Sequence, residues 1–376
     1  ILPSCAVIVS PLIALMKDQV DAARNNGLRA AFLNSTLDPT EAQSIENDYR
    51  TGNLDLLYLA PERLSTSYTT NLLKNNPPSF FAIDEAHCIS DWGHDFRPDY
   101  LYLSRLKELF PGVPVAAFTA TATHQVAHDI ESRLNLQDAT KIRASFDRKN
   151  LFYEIRAKRD WETQIIDFIR ERPDQSGIIY RTSRKAVDQT AALLKANGIN
   201  AAAYHAGMEA QARSNTQDDF LRDNIHVIVA TVAFGMGVDK ADVRFVIHGD
   251  IPKNIESYYQ ETGRAGRDGD PSHCLLLYSA GDTVRIRHFI DQIVDQEEKK
   301  RTTTLLRHME QFAAIPKCRR TSLLAYFDET YPAENCNSCD FCAGSYTKID
   351  ATTDAQMILS AIMRTSGKFG AVHICD

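Results

Sequence analysis

Short, largely apolar runs alternate with longer polar stretches in the first part of the chain: Ala6-Val7-Ile8-Val9, Leu54 to Leu59, Phe80 to Ile83 and Val115 to Phe118. Several are continuously apolar, the pattern of parallel strands covered by helices on both faces. The order strand, loop, helix follows, and chemistry is expected beyond the carboxyl ends of those strands. After the charged stretch Arg156 to Trp161 a second series begins, with strands predicted at Gly177 to Tyr180, Ala201 to Tyr204, His226 to Ala230, Phe245 to Ile247 and Cys274 to Tyr278. From Thr283 to Phe312 the pattern turns helical and charged, and Thr353 to Arg364 has the apolar spacing of a helix. No fixed-period repeat or low-complexity tract interrupts this α/β organisation.

At roughly 100–200 residues per domain, 376 residues make two or three domains. With 44% hydrophobic and 24% charged residues, and no apolar run near the roughly 18 residues that span a bilayer, a membrane protein is not expected. The chain opens on Ile1-Leu2-Pro3 without a signal-peptide pattern, so its start reads as cut rather than processed. A net charge of −7 argues against coating nucleic acid through global charge but leaves room for a local basic groove.

Of eight cysteines, Cys5, Cys88, Cys274 and Cys375 are scattered, while Cys318, Cys336, Cys339 and Cys342 have the spacing C-x17-C-x2-C-x2-C. Four thiolates close a tetrahedral zinc site without an open position, so the metal is expected to be structural. One turn of chain supplies three ligands, and Cys318, expected on the preceding helix, ties that turn to the body. The neighbouring Arg319 and Arg320 either touch phosphate or face solvent.

Asp84-Glu85-Ala86-His87 directly follows the run Phe80 to Ile83. At a strand end, Asp84 can hold a magnesium ion bridging phosphates and Glu85 can polarise the attacking water. Thr119-Ala120-Thr121-Ala122-Thr123 offers hydroxyls for a hydrogen-bond relay toward a neighbouring lobe. In Gln260-Glu261-Thr262-Gly263-Arg264-Ala265-Gly266-Arg267 the arginines lie three residues apart, a spacing that on a helix puts both on one face, as an arginine finger requires.

Together with Ser10-Pro11-Leu12, Ala60-Pro61-Glu62-Arg63 and Ala230 to Asp239, these motifs resemble those of superfamily 2 helicases in order and spacing. The continuation Cys88-Ile89-Ser90-Asp91-Trp92-Gly93-His94-Asp95-Phe96-Arg97-Pro98 and the cysteine module make the resemblance specific to the RecQ family.

The resemblance implies two RecA-like parallel-sheet lobes over 1–145 and 146–282, a helical zinc-binding module over 283–348 and the start of a winged helix over 349–376. It assigns Asp84, Glu85, His87, Arg264 and Arg267 to catalysis, with Gln260 and Asp239 joining Asp84 and the two arginines around the nucleotide. DNA contacts fall to Ser10, Lys17, Arg63, Trp92, His94, Phe96, Arg97, Arg181 and Thr231. The implied activity is a 3′-to-5′ DNA helicase of repair, recombination, replication and the SOS response, using ATP, Mg2+ and Zn2+. Its implied setting is the bacterial cytoplasm at the nucleoid, as a monomer on single-stranded and duplex DNA beside a single-stranded-DNA-binding protein. The alternatives are an RNA-remodelling ATPase of the same superfamily and a catalytically dead DNA-binding scaffold.

The chain departs from that pattern in containing no Gly-x-x-x-x-Gly-Lys-Ser/Thr loop, which such a motor needs to cradle the phosphates. The resemblance places the loop ahead of Ile1, so a chain cut at both ends and inactive alone is expected.

Overall fold

The computed structural model describes residues 4–11, 13–34, 37–93, 95–232, 234, 240–344 and 350–365. Two parallel sheets carry it. The first contains β1 (Ala6–Val9), β2 (Ala30–Leu33), β3 (Leu56–Leu59), β4 (Phe81–Ile83) and β5 (Val115–Ala117) in the order β2-β3-β1-β4-β5. The second contains β6 (Leu151–Ala157), β7 (Gly177–Tyr180), β8 (Ala201–Tyr204), β9 (Val227–Ala230), β10 (Phe245–His248) and β11 (Ser272–Tyr278) in the order β6-β11-β10-β7-β9-β8. Val7, Val9, Leu57, Leu59, Phe81 and Ile83 are buried in the first core, and Ile178, Ile228, Val246 and Leu276 in the second. Each such side chain contributes about 1.5–3 kcal/mol by leaving water.

The apolar runs mark nine of these strands within a residue or two of their ends; β2 and β6 lack that mark. β2 is Ala30-Ala31-Phe32-Leu33, poor in β-branched residues, and forms because the turn at Gly27, with φ +81, returns the chain from the helix Ile13–Asn25 to pair with β3. β6 runs through Glu154 into Arg156, where the charged stretch expected to precede the second series of strands begins, yet it pairs with β11 over its whole length. As an edge strand it buries Leu151 and Tyr153, and its charges are paired: Glu154 with Arg156 at 2.5 Å and with His273 at 2.7 Å.

The helical region after the second lobe is not continuous. It divides into helices Asp282–Asp291 and Gln296–Ala314, because Asp295 caps the second by accepting a bond from the Glu298 amide at 2.7 Å. The helix Arg319–Tyr326 and the short helix Asp340–Ala343 complete the cysteine module. The helix Thr352–Arg364 forms as its spacing predicts, with Met357, Ile358, Leu359 and Met363 exposed.

Candidate functional site

β1 lies between β3 and β4, so consecutive connections diverge there and open a crevice at the strand ends. Asp84 and Glu85 leave β4 at that point. The Asp84 amide donates to Val9 O at 2.9 Å and its carboxylate accepts from the Glu85 amide at 2.9 Å, while Gln19 Nε2 stands 3.5 Å away. From below, the buried Tyr100 hydroxyl donates to Asp84 O at 2.9 Å. Burial first, and the charge of Glu85 second, push the Asp84 carboxyl above its ordinary value.

Glu85 has φ 46 and ψ 45, a left-handed conformation for a residue with a side chain. Such strain costs on the order of 1–3 kcal/mol and gathers at functional sites. It aims a carboxylate whose buried Oε2 has no hydrogen bond, although His87 Nδ1 lies 3.3 Å away in poor alignment. Two crowded carboxylates and an oxygen without a donor fit a dication and a water molecule, which supplies a physical basis for magnesium here.

His87 connects this corner to the strand-end threonines. Its Nδ1 is 3.0 Å from Thr119 Oγ1, and Phe118 O accepts from the Ala86 amide at 2.8 Å. Thr123 then caps the helix His124–Arg133.

The aromatic loop starts from the same short turn, Ala86–Ile89. Ser90 Oγ donates to Asp129 at 2.6 Å and accepts from the Trp92 amide at 3.1 Å, and Arg133 holds Ile89 O and Asp91. With its backbone fixed, Trp92 projects 52% exposed. Phe96 is half-buried, while Arg97 pairs with Asp95 at 2.9 Å and donates to Pro11 O at 2.8 Å. His94 lies outside the described residues.

A Cβ on Gly93 would stand 2.2 Å from His87 O, so only glycine lets the loop pack on the acidic box. Gly93→Ala is therefore expected to displace the loop and cost about 1–3 kcal/mol. A thermal midpoint equal to that of the unsubstituted chain would contradict this packing.

In the second lobe the arginines differ from expectation. The helix Ile255–Thr262 ends before them, and residues 263–268 form successive turns with Gly266 at φ +56. Arg264 and Arg267 do not share a helix face: Arg264 is buried and Arg267 exposed. Glycine makes the turn possible, since a Cβ on Gly266 would meet Asn150 Nδ2 at 2.3 Å. Arg148 donates to Gly263 O at 3.2 Å and to Ala265 O and Gly266 O at 3.1 Å, and Asn150 to Gly266 O at 2.8 Å. No local pattern in the sequence marks these two as holders of the arginine turn. Gln260 is half-buried in the last helical turn, and Asp239 lies outside the described residues.

The other expected contact residues scatter over the strand ends. Ser10 is fully buried with Oγ lacking a hydrogen bond, Lys17 is exposed, and Arg63 donates to Asn34 O at 3.0 Å. Thr231 is half-buried after β9. Arg181 is engaged internally: it pairs with Asp250 at 2.9 Å, donates to Thr190 at 3.1 Å and stacks over Trp161 at 4.2 Å. Against the upward push of burial, Arg181 and Lys158 hold Asp250 at about 2.

The four cysteine sulfurs lie within 4.8 Å of one another. The Cys336 sulfur accepts from the Ser338 amide and the Cys339 sulfur from the Cys342 amide, both at 3.4 Å. Burial raises the Cys336 and Cys342 thiols, whereas at Cys318 burial is outweighed by hydrogen bonds from Thr321, which lower the thiol to about 7; zinc fits this set of four sulfur donors. Cys318 is not on the preceding helix, which ends at Ala314; it is the cap residue of Arg319–Tyr326.

Arg319 and Arg320 neither face solvent nor stand open to phosphate; both are buried. Arg319 forks onto Asp340 at 2.9 and 3.1 Å and reaches Phe312 O and Ile315 O. Arg320 pairs with Asp147 and donates to Arg148 O and Leu151 O. They bind the module to its helix and to β6.

Four family models match parts of the chain. Residues 3–130 match the DEAD/DEAH box helicase model, 160–269 the helicase conserved C-terminal domain, 280–343 the RecQ zinc-binding model and 345–376 the RQC domain. The ATP-dependent DNA helicase RecQ of Haemophilus influenzae is 44% identical over 368 residues, covering 98% of this chain and 59% of that protein. Its Bacillus subtilis namesake is 40% identical, with 98% and 63% covered. The chain thus spans less than two thirds of these relatives. Among solved structures, Saccharomyces cerevisiae Dbp5 bound to RNA and ADP BeF3 aligns at TM-score 0.58 and 16% identity, over 81% of this chain and 82% of that one. That likeness is one of fold.

Proposed function

The chain belongs to the RecQ helicase family, and from that premise we propose that it forms the two-lobed core of an ATP-driven motor that moves 3′ to 5′ on single-stranded DNA and separates duplexes. One observation carries this reading: the acidic box and the exposed aromatic loop are one continuous piece of backbone, joined by Gly93 lying against His87 O. Bases stacking on Trp92 and Phe96, at about 1–3 kcal/mol each, pull on the turn that positions Asp84 and Glu85. DNA binding and hydrolysis are thereby linked.

In this reading Asp84 holds the magnesium, whose charge offsets that of the phosphates. Glu85 orients and deprotonates the attacking water, and His87 passes the state of that corner to Thr119. Gln260, Asp239 and Arg264 face the nucleotide from the second lobe, and the exposed Arg267 completes the site when the lobes close. Ser10, Lys17, Arg63, His94, Arg97 and Thr231 follow the DNA, while Arg181 shapes the second-lobe strand ends through Asp250. The protein works as a monomer in the bacterial cytoplasm, at the nucleoid, beside a single-stranded-DNA-binding protein, in repair, recombination and replication.

The test is strand separation by this chain joined behind a segment that supplies a Gly-x-x-x-x-Gly-Lys-Thr loop. DNA duplexes with a 3′ overhang are expected to open with ATP, and RNA duplexes of the same sequence to remain closed. Preferential opening of RNA would move the protein to the RNA-remodelling class, and DNA binding without hydrolysis would make it a scaffold.

A further inference from the structure

The cysteine module is fastened to the second lobe by Arg319 and Arg320, by the Tyr153 amide donating to Ser338 O at 3.3 Å and by the Ile155 amide donating to Asp340 at 3.2 Å. The far end of its helix Arg319–Tyr326 makes different contacts. Asp328 accepts from the His124 amide at 3.0 Å, at the start of the first-lobe helix that Thr123 caps. Phe327 O accepts from Arg143, its ring stacks on Phe146 at 4.4 Å, and Glu329 accepts from the Phe146 amide at 2.7 Å; both partners lie on the chain linking the lobes. Tyr326 donates to the buried Glu256 at 2.5 Å, on the helix leading to the arginine turn.

The backbone here is informative. The Glu329 amide donates to Leu324 O at 2.9 Å and the Asp328 amide to Ala325 O at 3.2 Å, the bond pair of a helix end that normally uses glycine. Asp328 instead sits there with φ 58. Aspartate tolerates this left-handed backbone, and its carboxylate lies on the amino end of a helix of the other lobe, where negative charge is favoured.

We propose that Tyr326-Phe327-Asp328-Glu329 is a latch through which the zinc module, rigid on the second lobe, holds the first lobe at the helix following its strand-end threonines. Release of Asp328 from His124, with that of the direct lobe contact from Gln217 Nε2 to Asp18 at 3.2 Å, frees the lobes to rotate about the 143–148 link. Asp328 is then a positioning residue for lobe closure, a consequence that rests on the motor reading, although the latch itself does not.

The test measures distances between spin labels at Lys74→Cys and Lys195→Cys, both exposed, in a Cys375→Ser chain loaded with zinc. Asp328→Gly suits the backbone and removes the acceptor, and is expected to give a longer and broader distribution. Asp328→Asn keeps an acceptor and tolerates the left-handed backbone, and is expected to restore the parent distribution at equal zinc content. An unchanged distribution in zinc-loaded Asp328→Gly overturns the latch. Where that variant has lost its zinc, Arg143→Ala, on the exposed link, decides in the same way. Because neither nucleotide nor nucleic acid is present, this outcome is separable from that of the strand-separation assay.

Discussion

Removing zinc, or replacing Cys339 by serine, is expected to unfold the module around Cys318 to Cys342 and to uncover the edge strand β6. Cys339 is fully buried, caps the helix Asp340–Ala343 and bridges Tyr153 of β6. Four sulfurs within 4.8 Å need a dication, and structural zinc is worth about 10–16 kcal/mol of apparent binding energy at neutral pH. Losing it releases Asp340 and leaves the buried Arg319 without its carboxylate, a break that by itself costs about 3–5 kcal/mol. An exposed edge strand then offers unpaired amides to other chains. Metal analysis should find one zinc per chain, and strong chelation should abolish hydrogen-exchange protection at the Tyr153 and Ile155 amides, which donate to the module, and promote aggregation. A Cys339→Ser chain that keeps its protection and thermal midpoint would show that packing alone holds the module.

Glu85→Gln should lower DNA-stimulated ATP turnover by about 10²–10⁴-fold, the usual worth of a general base, in the chain joined behind a phosphate-binding loop. Glutamine preserves size and tolerates the same backbone, so nucleotide binding and thermal stability should change little. What is lost is the charge on an oxygen that the structure leaves buried without a hydrogen bond. Single-turnover hydrolysis compared with equilibrium binding of a non-hydrolysable analogue separates the two effects. Turnover within tenfold of the parent would assign water activation to another group and leave Glu85 a role in geometry only.

The acidic box, the aromatic loop and the four cysteines were legible because each is a local run whose chemistry depends on spacing. The arginine motif was legible in composition but not in shape: a three-residue spacing suggests a shared helix face, and only the contact of Gly266 with Asn150 and Asp270 shows why the helix stops at Thr262. Arg319 and Arg320 show the same limit. Adjacent arginines beside a metal site look like phosphate ligands until Asp340 and Asp147 are found against them, and those partners are 21 and 173 residues away. Arg148, Asn150, Tyr100 and Glu256 carry no local mark at all, because their roles consist of bonds to segments remote in the chain.

By itself the sequence determined the two parallel sheets, the zinc ligands and the identity of the acidic and aromatic elements. Strand burial, thiolate spacing and a box at a strand end are properties of short stretches of chain. Only the tertiary structure decided which charges are open to a ligand and which are neutralised inside the fold. It likewise decided that the zinc module touches both lobes and the link between them. Burial and charge pairing are set by what packs across from a residue, and at Asp328 that partner is His124, 204 residues away.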